Sequence, residues 1–231
     1  MKTRHVAWPK AHRIIATRFP PIPLFERLSA DPADWDAFAA IEGLVNPRLR
    51  QEIGDISLVP VEDRVGGPGA STVMAPFVHV NPKGSRFSDG RTGVYYAGAE
   101  METALRETVY HYEDFYRDAD EGIIRTEDMR VMVGAIDAVF HDVDTLPAED
   151  RAAVLAPESY VASRALGHQL REDGSDGVVF PSVRNVGGAC VGAFRPTAVR
   201  IPVQGGHLAY HWDGARINRV FDYDSRVWRD L

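Results

Sequence analysis

The stretch that most constrains the fold is residues 84–112. A polar loop closed at both ends by glycine, Gly84-Ser85-Arg86-Phe87-Ser88-Asp89-Gly90, leads into Gly93-Val94-Tyr95-Tyr96-Ala97 and then into a helical pattern from about Met101 to Tyr112. β-Branched and aromatic residues bounded by glycine read as a strand. Elsewhere strand and helix patterns are mixed without regular alternation, so the fold class is α+β. Loop, strand and helix each present one polar group: Arg86, Tyr96 and Glu107. Such a trio suits a ligand with phosphates, a flat ring and a sugar.

The chain has 231 residues, 45% of them hydrophobic, enough for the core of one domain. A formal net charge of −7 argues against direct nucleic-acid binding, which calls for a basic surface. The single cysteine, Cys190, rules out an intramolecular disulfide and fits a reducing compartment. No apolar run is long enough to span a bilayer and no signal-peptide core opens the chain, so a cytoplasmic location is expected.

Residues 1–23 read as a basic, proline-rich arm (Lys2, Arg4, Lys10, Arg13 and Arg18, then Pro20-Pro21-Ile22-Pro23), either solvated or a docking strand for a partner. Leu24–Leu28 suggests a short strand in which Arg27, among apolar neighbours, needs a partner: a salt bridge or an anion. Asp31-Pro32 starts a helix whose Trp35, Phe38, Ile41 and Leu44 face the core, and Asn46-Pro47 breaks it. The cluster Gly66-Gly67-Pro68-Gly69 is a loop, a weak phosphate-cradle signal without a following Lys and Ser or Thr. Ser71–Val80 is a strand or short helix.

Beyond the central stretch, 113–128 reads as an acidic helix end and loop, Met129–Phe140 as one long strand or two short ones, and 145–157 as a connection. Glu158–Glu172 reads as a helix closed by Gly174. Asp176–Phe180 and Ala189–Phe194 form a hairpin with Ser182 at the exit of its first strand and Arg184 and Asn185 in its loop. Residues 211–231 are left as a tail.

On a helical projection Leu105, Val109 and Tyr112 share one face. Glu107 lies on another with Thr103, Tyr110 and His111, a face that meets either solvent or a cleft. Arg86 is a surface arginine or a bidentate phosphate ligand. Tyr95 and Tyr96 point to opposite sides of their strand, one to the core and one free to stack on a ring. Ser182 lacks a nucleophile elbow, the local sequence being Phe180-Pro181-Ser182-Val183-Arg184, so a hydrogen-bonding role suits it better. His207 and His211 have helical metal-site spacing but no accompanying glutamate, and no metal is expected. Cys190 reads as a small core residue.

Taken together, Arg27, then Gly84-Ser85-Arg86-Phe87, Val94-Tyr95-Tyr96-Ala97, Ala104-Leu105-Arg106-Glu107, the block from Asp176 to Asn185, and Val191-Gly192-Ala193-Phe194-Arg195-Pro196 resemble the RES-domain family over roughly Leu24 to Tyr210. Many members carry asparagine where Ser88 stands here. The resemblance implies a single domain with a fold like the diphtheria-toxin-type ADP-ribosyltransferases, spanning 24–210. It also implies a toxin of a bacterial toxin–antitoxin pair that consumes NAD+ and is restrained by an Xre-like antitoxin. ADP-ribose would pass to an acceptor, with a cellular protein slightly favoured over phosphate (phosphorylase) or water (glycohydrolase). Carried over residue by residue, Glu107, Arg86 and Tyr96 would be catalytic. Arg27, Arg86, Tyr96, Ser182, Arg184 and Asn185 would bind NAD+. A binding module without chemistry is the other reading, but the arginine, tyrosine, glutamate and serine are all in place.

Independent of that resemblance, cleavage between nicotinamide and ribose passes through an oxocarbenium-like species that a carboxylate can stabilise. An enzyme with net charge −7 must neutralise a pyrophosphate locally.

Overall fold

A computed structural model describes residues 1–19, 23–45, 52–119 and 122–231, with the side chains of 42–45 excepted. Its strands are β1 (Thr3–Ala16), β2 (Tyr95–Gly98), β3 (Arg125–Asp142), β4 (Gly177–Pro181), β5 (Ala189–Ala193), β6 (Val203–Trp212), β7 (Ile217–Asp222) and β8 (Val227–Asp230). Its α-helices are α1 (Phe25–Leu28), α2 (Trp35–Val45), α3 (Ala70–Val78), α4 (Met101–Asp118), α5 (Ala148–Val154) and α6 (Val161–Glu172).

All eight strands belong to one sheet in the order β1-β2-β5-β4-β3-β6-β7-β8, and β1 also pairs with β3. The strands β1, β2, β5, β4 and β3 therefore close into a ring. The seam is narrow, a single pairing of His12 with Gly98. The 18-residue β3 makes this possible by serving two neighbours along one edge. Its first half pairs antiparallel with β6, from Arg125 opposite Trp212 to Val133 opposite Val203. Its last two residues run parallel to β4. Its other edge zips against β1 from Thr3–His141 to Ala16–Met129, with one register shift between Trp8 and Ala11. Pro9, which has no amide hydrogen to give a ladder, sits in that shift.

The N-terminal arm is thus a sheet strand. Its basic residues hid the pattern, but Val6, Ala11, Ile14 and Ala16 are buried while Arg4 and Lys10 face outward. The tail is likewise structural: Trp212, Ile217 and Val220 are buried, and β7 and β8 extend the sheet. Residues Leu24–Leu28 form a helical turn instead of a strand, and Arg27 is exposed. Glu26 takes the inward position, accepting from the Ser71 amide and hydroxyl.

Asp31 caps a 3-10 turn through the Ala33 amide and leads into α2. Trp35 is fully buried, but Phe38 and Ile41 are exposed, so only the start of that helix meets the core. The expectations for the Leu44 side chain, Asn46-Pro47 and Pro20-Pro21-Ile22 lie outside what the structure describes. Residues 71–78 are helical, the 145–157 connection contains α5, and α6 begins at Val161, three residues later than expected. Gly174, at φ +74°, follows the C-cap of α6. The β4–β5 hairpin stands as read, with Gly177–Pro181 paired to Ala193–Ala189.

Three apolar clusters hold the layers. One packs α1, α2 and α3 against β1, β3 and β5 through Phe25, Trp35, Met74, Phe77 and Phe140. A second sets α4 on β1, β3, β6 and β7 through Leu105, Tyr116, Met129 and Tyr210. The third gathers Phe87, Val143, Leu170, Phe180 and Cys190 beneath α5 and α6. A fully buried Phe or Leu side chain stabilises by about 1.5–3 kcal/mol, so these clusters fix where the ring sits relative to α4. No helix among the described residues is long and apolar enough to cross a membrane.

Candidate active site

The three polar groups nominated from loop, strand and helix line one cavity of about 200 Å³: Arg86, Tyr96 and Glu107, with His12, Arg13, Thr108 and Cys190 around them. Each arrives for a local reason. Gly84 has φ +76°, and a Cβ there would collide with the Ser88 carbonyl, so the chain can turn back on itself. The turn is closed by the Ser85 amide donating to that carbonyl at 2.8 Å, and Arg86 follows.

In β2 the two tyrosines separate as alternation requires. Tyr95 joins the first cluster, while Tyr96 faces the cavity. The Tyr96 hydroxyl accepts from the Phe87 amide at 3.0 Å and shares a 2.9 Å hydrogen bond with the Ser85 hydroxyl. Burial raises the Tyr96 pKa above the ordinary phenol value, while Ser85, Phe87, Arg171 and Arg86 pull it down.

Glu107 projects from α4 away from Leu105 and Val109, and its face meets the β4–β5 loop, not solvent. Ser182 Oγ donates to Glu107 Oε1 at 2.6 Å. The amides of Val183 and Arg184 add contacts to the same oxygen at 3.1 and 3.4 Å. The other oxygen, Oε2, has no hydrogen-bond partner among the described residues. Ser182 Oγ in turn accepts from the amides of Arg184 and Asn185, so the serine is the hub of the loop. Asn185 Nδ2 donates to Thr103 Oγ1 at 2.9 Å, which ties the loop to the first turn of α4. Gly188 allows that approach, since a Cβ there would strike Thr103 Oγ1.

Arg86 is buried, and its Nη1 donates to the carbonyls of Val154 at 3.1 Å and Ala156 at 2.9 Å. Its guanidinium stacks 4.6 Å from the Tyr160 ring centroid. Arg184 lies over Tyr110 at 3.3 Å, donates to the Pro157 carbonyl and sits 3.6 Å from Glu158. The two arginines therefore strap the segment 154–158 beside the cleft. Arg184 and Asn185 build its wall and do not line the cavity, and Arg27 lies apart from it on the exposed side of α1. The Gly66–Gly69 loop is also elsewhere, leading into α3.

Sequence reasoning missed Arg13. It comes from β1, lines the cavity, donates from Nη1 to the Tyr96 carbonyl at 3.1 Å and lies 4.8 Å over the Tyr95 ring. Among the described residues it has no carboxylate partner. Burial lowers its pKa, with the tyrosines at 95, 96 and 112 pulling the other way. A desolvated cation without a counter-charge, facing a cavity, is ready for an anion. The available signal was Arg13 next to Ile14 and Ile15, but it counts only once the arm is recognised as a strand. Cys190 packs in the third cluster as expected and also lines the cavity; burial pushes its thiol pKa up. His207 and His211 lie on β6, and no group of metal-ligating side chains occurs among the described residues.

The family model described as the RES domain matches residues 62–213. The chain belongs to the RES-domain family. The match spans Arg86, Tyr96, Glu107 and Ser182, but β1, and with it Arg13, lies outside it. A similar curated sequence is the uncharacterized protein y4oC of Sinorhizobium fredii, 28% identical over 215 residues, covering 93% of this chain and 87% of that protein. Among solved structures, a chain in the crystal structure of the M. tuberculosis MbcT–MbcA toxin–antitoxin complex is similar at 16% identity and TM-score 0.38, covering 58% of this chain and 74% of that one.

Proposed function

We propose that this RES domain binds NAD+, breaks the bond between nicotinamide and ribose, and transfers ADP-ribose to an acceptor, a cellular protein being slightly favoured over phosphate or water. The observation that carries this reading is the Glu107 carboxylate. One oxygen is held by Ser182 and two amides, and the other is left for a ligand in a cavity that also holds Tyr96 and Arg13. A carboxylate oriented in this way can hydrogen-bond a ribose hydroxyl and stabilise the positive charge that develops on the sugar as nicotinamide leaves. Its orientation is set before substrate arrives, so little reorganisation is needed during bond cleavage.

Tyr96 supplies a ring face for nicotinamide, and its hydroxyl, tied to Ser85 and Phe87, keeps that ring from turning. Arg13 is the cation best suited to the pyrophosphate. Arg86, already donating to two carbonyls and stacked on Tyr160, shapes the wall and adds positive potential. In this reading the fold is a variant of the ADP-ribosyltransferase type. The chain acts as the toxin of a toxin–antitoxin pair, and its antitoxin restrains it by covering the cleft.

The test is to incubate purified protein with adenine-labelled NAD+, with and without phosphate and bacterial lysate, alongside Glu107→Gln. Label moving to a protein band, and absent with the variant, supports ADP-ribosylation. Label released as ADP-ribose or its phosphorylated form assigns hydrolysis or phosphorolysis instead. Unchanged NAD+ turnover by folded Glu107→Gln overturns the role of Glu107.

A further inference from the structure

The cleft that holds Glu107 has a neighbouring cavity at Arg13. Arg13 and Ile14 also line a second cavity of about 600 Å³. One wall is Phe25 of α1, and another is Tyr112, which continues α4 beyond Thr108 and His111. A third is the face of α3 and its end that carries Thr72, Ala75, Pro76 and His79. That spacing of three and four residues places all four on one side. The walls are mainly hydrocarbon and aromatic. Of their polar groups, the Ser71 hydroxyl donates to Glu26, the Thr72 hydroxyl donates to the Gly69 carbonyl, and His79 Nε2 is 2.9 Å from the Glu52 carbonyl oxygen.

Size and charge decide what fits. Sites that enclose small organic ligands span roughly 300–1,000 Å³. The first cavity, at about 200 Å³, is too small for a dinucleotide, so half of the molecule must lie outside it. Beyond Arg13 the charged residue that lines the second cavity among the described residues is the acidic Glu52, with no further lysine or arginine to hold a phosphate. A phosphate would therefore stop at the joint, and an uncharged, flat group would lie beyond it.

The geometry points to the second cavity as the seat of the adenosine half of the dinucleotide, with the pyrophosphate crossing at Arg13. This rests on the reading of the first cavity as the nicotinamide–ribose site. The adenine lies between Phe25, Tyr112 and the Ala75–Pro76 face of α3. Ile14, Ile15, Ala16, Phe19, Leu24 and Phe25 of this seat lie outside the residues 62–213 matched by the RES-domain model.

The experiment fills the cavity. Binding of ADP and of nicotinamide mononucleotide is measured by calorimetry on wild type, Ala75→Phe and Thr72→Phe, and NAD+ kinetics are measured on the same proteins. ADP affinity should fall at least tenfold and KM for NAD+ should rise to match. Affinity for the mononucleotide and kcat should stay within about twofold. Hydrogen exchange on the unaltered protein reads the same seat without a substitution: ADP should protect residues 70–79 and leave 182–188 unchanged.

The proposal is overturned if ADP does not bind wild type, if a folded filled variant binds it as well as wild type, or if ADP protects 182–188 instead of 70–79. Turnover of NAD+ with a KM indifferent to filling removes the adenosine seat and leaves the cleavage reading intact. ADP binding that filling abolishes, in a wild type that leaves NAD+ whole, keeps the seat and removes the chemistry.

Discussion

Ser182 Oγ lies 2.6 Å from Glu107 Oε1, a hydrogen bond across 75 residues of sequence that joins the β4–β5 loop to the middle of α4. The same hydroxyl accepts two amides from its own loop. The serine therefore sets both the shape of the loop and the direction of the carboxylate, which is a positioning role.

Ser182→Ala should leave a folded protein with a misdirected Glu107. A hydrogen bond to a charged group contributes about 1.5–3 kcal/mol, so kcat for NAD+ cleavage should fall by roughly 10- to 150-fold with KM changed by less than about threefold. Steady-state kinetics check this. A variant with normal kcat would show that the loop amides alone orient the carboxylate.

Tyr96 separates into ring and hydroxyl. Tyr96→Phe keeps a stacking face but leaves the Phe87 amide without its acceptor, at a cost of about 1–3 kcal/mol. Its denaturant midpoint should fall while KM for NAD+ stays near wild type. Tyr96→Ala should lose affinity more than tenfold. If both variants bind alike, the ring does not contact the substrate.

What the sequence showed and what it hid follow from the same physics. The β4–β5 hairpin and the loop–strand–helix of 84–112 were legible because glycine punctuation and apolar periodicity agree there. The cleft trio was legible because each member lies within those elements. β1 was hidden because its outward residues are basic and Pro9 interrupts its alternation, so a strand buried on one side looked like a solvated arm. With β1 went Arg13. The outward Phe38 and Ile41 of α2 misled in the opposite direction, since hydrophobic spacing says nothing about how far a neighbouring layer extends. The link between Ser182 and Glu107 is tertiary, and nothing local in either segment encodes it.

Arg86 carries a structural prediction distinct from its place in the cavity. Arg86→Ala leaves the carbonyls of Val154 and Ala156 without their donor, which should destabilise the fold by about 2–3 kcal/mol. Arg86→Lys should rescue only part of this, because an ammonium lacks the planar fork that stacks on Tyr160 while reaching both carbonyls. Urea denaturation of the three proteins orders them wild type, Lys, Ala. Equal midpoints would mean that the strap at 154–158 is held by Arg184 alone.

Arg13 should behave in the opposite sense. Its guanidinium is desolvated, lacks a carboxylate partner among the described residues, and is lowered in pKa by burial. A cation held in this way costs stability in the absence of an anion, as functional groups in preorganised sites commonly do. Arg13→Met keeps the length and apolar stem and removes the charge. Its unfolding free energy without ligand should rise by about 0.5–2 kcal/mol, while affinity for NAD+ should fall more than tenfold. Raising salt should weaken NAD+ binding to wild type and have less effect on the variant, because the variant lacks the Arg13–pyrophosphate attraction that salt screens. Thermal denaturation with and without NAD+ reads both effects in one experiment: a higher melting temperature alone, and a smaller upward shift on adding ligand. A variant that melts lower than wild type and still binds NAD+ would place Arg13 among the residues that hold the sheet together and outside the binding of phosphate.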